Sequence, residues 1–260
     1  MDLKLSDKRV LVTGGNSGLG AAIVRAFAAE RARVAINYVV HPEQTEQLQQ
    51  QLRAGSCESL ALPADVTKPD EVSGMFQKLD AAWGGIDVLV NNAGIDGRRA
   101  LAWEAEPQAW DQVLKINLSG AFLCAREALK RMVPQRSGVI VNTSSVHEVI
   151  AWSGYSAYAA SKAGLSMMAK TLAQEAGVHG VRVLCVAPGA IRTPINAAVW
   201  QDPAGKQDLL SKIALGRVGE PQDIAGMVVV LASEVASYVT GTSVFVDGGM
   251  TDYPAFSHGG

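Results

Sequence analysis

The chain has 260 residues, 48% of them hydrophobic, with 23 Lys and Arg set against 25 Asp and Glu. A net charge of −2 without a basic stripe argues against nucleic acid and anionic membrane surfaces as partners. Three cysteines far apart, Cys57, Cys124 and Cys185, suit neither a disulfide framework nor, with the histidines, a metal site, so no metal is expected.

The charged opening "MDLKLSDKRVLVTGG" runs straight into a strand pattern, and no apolar stretch approaches the roughly 20 residues that span a bilayer. A cytoplasmic protein is expected. The first strand, "RVLVT" (9–13), ends in "VTGGNSGLG" (12–20), and a helix over 18–30 starts at once. Glycines 14, 18 and 20 let the backbone turn sharply and approach a diphosphate, which would then sit on the helix N-terminus. The spacing G-x-x-x-G-x-G is neither the common dinucleotide fingerprint nor a Walker loop. A structural Gly-rich turn is the plainer alternative.

A second strand, "RVAINY" (33–38), leads through "VVHP" into a helix over 43–54. The third, "SLALPAD" (59–65), ends on Asp65, a residue equally suited to shaping a turn and to holding a ligand. After a helix at 69–83 comes "DVLVNNA" (87–93), whose "NNAG" lets backbone pass under a ribose. A helix over 107–133 leads to "GVIVNTSS" (138–145), and a helix over 156–176 carries "AYAASKAG". The chain closes with "VRVLCVAP" (181–188), a long connection over 193–219, a helix at 221–233 and "SVFVDGG" (243–249).

The strands are apolar throughout rather than alternating, as strands covered on both faces are. Pro69, Pro107 and Pro221 stand where first-turn prolines belong. Strands alternating with helices predict one α/β domain over 1–260, a doubly wound, seven-stranded parallel sheet with right-handed crossovers. The connection 193–219 follows the sixth strand's C-terminal end, where a substrate lid would hang.

Tyr158 and Lys162, four apart, share one helix face. A free tyrosine titrates near 10, so service as a base near neutral pH needs about 2–3 units of depression, roughly 3–4 kcal/mol. An ammonium about 5 Å away at an effective dielectric of about 20 supplies roughly 3 kcal/mol. On this reading Lys162 lowers Tyr158 into the range of a general acid/base, with Ser145 polarising the reacting oxygen.

Together "TGGNSGLG", "NNAG", Asn117 in "KINLSGAF", Ser145, "YAASK", "PGAIRTP" and the closing "DGG" resemble the short-chain dehydrogenase/reductase family along essentially the whole chain. The resemblance implies a Rossmann-type fold and reversible hydride transfer between a carbinol or carbonyl carbon and NAD(P). It implies catalysis by Asn117, Ser145, Tyr158 and Lys162. It implies cofactor contacts from Gly14, Asn16, Ser17, Gly18, Leu19 and Gly20, then Tyr38, Asp65, Val66, Asn92, Ala93 and Gly94. Tyr158, Lys162, Pro188, Gly189, Ile191 and Thr193 complete that set.

"SSVHE" (144–148), "GAIRTPINA" (189–197), "GEP" (219–221), "ASYVTG" (236–241) and "DGGMTDYPAF" (247–256) further resemble bacterial glucose 1-dehydrogenases. That likeness implies oxidation of an aldose such as D-glucose to its lactone, by a homotetramer, with Asp96, Ser145, His147, Tyr158 and Asn196 on the sugar. His147 is as readily a loop residue capping backbone, and Asp96 a partner for Arg98 or Arg99. "DGRRALAW" and "AWSGYSAY" (151–158) depart from the subfamily, and arginines at a substrate mouth would suit an anion. The other reading within the family is a 3-oxoacyl carrier-protein or ketone reductase. A catalytically silent nucleotide sensor would not need Ser145, Tyr158 and Lys162 together. At the second strand's end, Tyr38 and Val39 replace the acid and the arginine that read the adenosine ribose, so NAD is expected over NADP.

Overall fold

Runs of Val, Ile, Leu and Ala form the strands because both faces of each are covered. The computed structural model describes residues 2–193 and 202–252. In it β1 (Arg9–Val12), β2 (Arg33–Tyr38), β3 (Ser59–Pro63), β4 (Val88–Asn91), β5 (Gly138–Thr143), β6 (Val181–Pro188) and β7 (Ser243–Val246) make one sheet. Their order is β3-β2-β1-β4-β5-β6-β7, every pairing parallel. Successive residues face opposite layers. Val10, Val12, Val34 and Ile36 join one core, while Leu11, Ala35, Leu89 and Ile140 join the other. Each such side chain contributes about 1.5–3 kcal/mol by leaving water.

Helix α1 (Gly18–Ala29) and the helix Pro221–Ala232 cover the first layer; α3 (Pro69–Trp83), α5 (Ala121–Gln135) and α6 (Ser156–Gly177) cover the second. The remaining described helices are α2 (Pro42–Ala54), α4 (Pro107–Leu114) and Pro203–Leu210. Prolines 69, 107 and 221 do occupy the first helical turn. Strand order reverses between β1 and β4, which opens a crevice beyond their carboxyl ends.

Two departures from expectation bear on that crevice. Five strands stop short of their predicted ends: β1 at Val12, β3 at Pro63, β4 at Asn91, β5 at Thr143 and β7 at Val246. The predicted helix 107–133 runs on to Gln135 and contains a π-helical turn, Lys115–Gly120. In the connection 193–219, the base is tied shut by the pairing of Ile191 with Gly219, with Arg192 N donating to Gly219 O at 2.8 Å. Its residues 194–201, including Asn196, and the tail from 253 lie outside the described residues.

Candidate active site

The phosphate turn is built by conformations that glycine tolerates. Gly14 and Gly18 take φ of 58° and 48°. The Thr13 hydroxyl, which the motif reading passed over, accepts the N–H groups of Asn92 (2.9 Å) and Ala93 (3.0 Å), and so joins β1 to β4. Asn92 Nδ2 answers by donating to the carbonyls of Thr13 and Gly14. Ser17 makes no side-chain cap to α1, and no acid occupies that helix's first turn. The first-turn N–H groups of α1 are therefore free of side-chain partners and suited to an anion.

A Cβ on Gly20 would collide with the Gly14 carbonyl oxygen and come within 2.7 Å of Asn92 Nδ2. Gly20→Ala is thus expected to cost about 1–3 kcal/mol of stability and to weaken dinucleotide affinity, read by thermal unfolding and fluorescence titration.

The other cofactor candidates divide by what their side chains do. Asn16 is spent on the β2–α2 corner, donating to Val40 O (2.8 Å) and His41 O (3.2 Å). Leu19 packs on the core, leaving its backbone to the site. Tyr38 ends β2, and beyond it Val39 and Val40 are 62% and 60% exposed. His41, in left-handed conformation, pairs with Glu43 at 3.2 Å. Asp65 behaves largely as the turn former: burial opposes its charge, but hydrogen bonds from Thr67 and the nearby Lys68 and Lys115 hold its carboxyl below the usual range.

Val66 is buried against Gly120, and Gly189 lets β6 approach Asp247, where a Cβ would stand 2.7 Å from Asp247 Cα. Pro188 ends β6 beside Val246, and Thr193 is the last described residue before the gap.

Asn117, Ser145, Tyr158 and Lys162 do converge. Asn117 sits in the π-helical turn and clamps Ile95 from both sides, accepting its N–H at 2.8 Å and donating to its carbonyl at 2.9 Å. Its Nδ2 also donates to Ser161 Oγ, which in turn donates to Tyr158 O. A π-turn at a functional residue re-aims a side chain that a continuous α-helix would point elsewhere. Lys162 is buried, its Nζ 5.5 Å from the centre of the Tyr158 ring and donating to Thr143 O at 2.7 Å. That one bond leaves two of the three ammonium hydrogens for ribose hydroxyls. Gly94 faces the same point: a Cβ there would lie 3.8 Å from Lys162 Nζ. The glycine turn, the uncapped helix and this half-partnered ammonium together fit a nicotinamide dinucleotide.

Electrostatics correct the expectation for Tyr158. Burial pushes its phenol up to about 12, against a downward pull from Ser145, and Asp96 adds to the rise. Burial also brings Lys162 down to about 8, with Asp96 among the groups resisting it. Desolvation of the phenolate outweighs the hydrogen bond from Ser145. The chain's groups alone therefore hold the proton on Tyr158.

A cavity of about 270 Å³ is lined by residues 96–100, 104–106, 109–110, Val113 and 154–158, Tyr158 among them. Asp96 lies on its wall, and burial raises its carboxyl while Lys162 and His147 pull it down. Among the described residues Asp96 pairs with neither Arg98 nor Arg99, which line the same cavity. His147 does cap local backbone, and its ring packs as well. Its Nδ1 meets Ile150 O at 3.0 Å, its ring stacks on Trp152 at 4.4 Å, and burial keeps it below the ordinary histidine range. Trp152 stacks in turn on Tyr155 at 3.9 Å and meets Tyr158 edge-on at 5.8 Å. This row of rings escaped the sequence reading; its signal was three aromatics within 152–158.

Comparison with known proteins gives concordant likenesses. A family model described as Enoyl-(Acyl carrier protein) reductase matches residues 14–251. The chain is 42% identical over 261 residues to 3beta-hydroxysteroid dehydrogenase 1 of Eggerthella lenta, covering 98% of each. It is 39% identical over 243 residues to a 3-oxoacyl-(acyl-carrier-protein) reductase of Staphylococcus aureus, covering 94% of this chain and 98% of that one. Among solved structures it resembles gluconate 5-dehydrogenase from Burkholderia cenocepacia, in complex with NADP and tartrate. There the TM-score is 0.92 at 31% identity, over 96% and 98% of the chains. It also resembles levodione reductase, with a TM-score of 0.90 at 35% identity over 96% and 100%.

Proposed function

The chain belongs to the short-chain dehydrogenase/reductase family, and from that premise we propose that it exchanges hydride between a secondary alcohol or hemiacetal and a nicotinamide dinucleotide, with Tyr158 as general acid/base. The observation that carries this reading is the phenol on the cavity wall, hydrogen-bonded to Ser145 and with the buried Lys162 Nζ 5.5 Å from its ring centre. When bound, the nicotinamide gives or takes the hydride at its C4.

The chain's own residues do the rest. Ser145 Oγ, held by His147 N at 3.2 Å, offers a hydrogen bond to the reacting oxygen. The Tyr158 hydroxyl gives that oxygen its proton in reduction and takes it back in oxidation. Lys162 holds the ribose, and Asn117 fixes the Ile95 backbone that frames the site.

An aldose such as D-glucose, oxidised to its lactone, is supported by Asp96, whose carboxylate makes no bond within the described residues and suits a sugar hydroxyl. Reduction of a ketone or 3-oxoacyl group on a carrier is supported by a different observation, Arg98 and Arg99 on the cavity wall, which suit an anionic partner. Absorbance assays with aldoses, sugar acids, cyclic and open-chain ketones and 3-oxoacyl thioesters test the reading; turnover of none of these classes would sink it.

NAD is the preferred partner in this reading. Around Tyr38 the exposed neighbours are Val39 and Val40, and the one imidazole is paired with Glu43, a poor surface for a 2′-phosphate dianion. Val39→Arg is expected to move the NADP-to-NAD ratio of kcat/KM upward by about tenfold or more, the worth of one charge-assisted bidentate contact. Equal use of both dinucleotides by the unaltered protein would contradict the preference.

A further inference from the structure

We infer that Tyr155 is a specificity-determining residue: the part of its ring that lines the cavity is a platform for a six-membered ring on the substrate, so the site selects ring-borne over open-chain alcohols. This rests on the function proposed above and deepens it. One face of Tyr155 is occupied by Trp152, at a centroid separation of 3.9 Å and an interplanar angle of 23°. The same residue lines the cavity together with Tyr158, three positions along the chain. With Trp152 stacked on it, the part of the Tyr155 ring that lines the cavity is what a ligand would meet.

The platform is stiff. Trp152 also stacks with His147, at 4.4 Å and 13°, and His147 is itself pinned to Ile150 O. Gly154, at φ 86°, gives its carbonyl to Ala100 N at 3.0 Å, and a Cβ there would come within 2.8 Å of the Arg99 stem. The loop that presents Tyr155 is thus held from both sides. A π-face takes the axial C–H bonds of a chair, which carry partial positive charge, and both sugars and saturated carbocycles present such bonds.

The test compares kcat/KM with NAD for D-glucose, cyclohexanol and 2-hexanol in the unaltered protein and in Tyr155→Ala, Tyr155→Leu and Tyr155→Phe. At least one ring alcohol should exceed 2-hexanol by about tenfold, and Tyr155→Ala should remove that advantage, chiefly through KM. Tyr155→Phe, which keeps the ring, should keep it. Tyr155→Leu supplies the same comparison if the alanine variant does not fold. Preference for glucose assigns the platform to sugars, and preference for cyclohexanol to carbocycles. Equal turnover of ring and open-chain alcohols, or equal losses on both in Tyr155→Ala, overturns the inference while leaving hydride transfer standing. Turnover of none of the three, nor of the wider panel, overturns both.

Discussion

Tyr158→Phe is expected to lower kcat by about 10²–10⁴, the usual worth of a positioned acid/base, while dinucleotide binding stays near that of the unaltered protein. The substitution removes one oxygen from a half-buried ring and keeps the edge contact with Trp152, so packing is preserved. Stopped-flow absorbance and a fluorescence titration separate the two effects. Wild-type turnover in this variant would remove Tyr158 from the chemistry, and lost binding with unfolded protein would show that the hydroxyl is structural.

The second large effect is a pH limb. With Lys162 brought down to about 8 by burial, kcat/KM for reduction should be flat below that pH and fall above it. Above pH 8 the ammonium loses its proton, and with it the charge and a donor toward the ribose. Tyr158, at about 12, keeps its proton throughout this window, so the limb belongs to the lysine. Stability moves in the opposite direction. Lysine in the unfolded chain sits near 10.5, so between about 8 and 10.5 the unfolded state binds more protons and unfolding becomes harder as pH rises. A falling rate there is therefore not unfolding driven by this group. Lys162→Met should abolish the limb and cost about 10²–10³ in kcat. A limb that persists in that variant would assign it elsewhere.

Much of this was readable in the residues. The alternation of apolar runs and helices predicts the sheet, because burial on both faces leaves a strand few polar positions, here mainly Asn37, Asn91 and Asn142. The glycine turn, Ser145, Tyr158 and Lys162 are legible because their spacing follows from backbone geometry close to each of them, while Asn117 enters only through the family resemblance. What was not legible depends on distant partners. The balance on Tyr158 turns on how dry the site is, which the Tyr-Lys interval does not encode. Asn16 reaches the Val40 and His41 carbonyls, a contact that its place in the glycine turn does not encode. The ring stack needs the 146–155 loop to fold back, and three scattered aromatics do not announce that.

The π-helical turn at Lys115–Gly120 has a consequence for how the long helix from Pro107 to Gln135 can vary. One extra residue in a helix advances everything after it by about 100°. Upstream of the turn Val113 packs under Gly97; downstream Cys124, Ala125, Ala128 and Met132 must face the sheet. The wide turn at Lys115–Gly120 sets the phase between those two faces. Deleting a single residue between 115 and 120 would leave the helix intact and rotate one half against the other. Either Asn117 would lose Ile95 or the core face would swing toward water. The reach of that asparagine and the packing of a helix two turns away are in this way a single constraint on chain length.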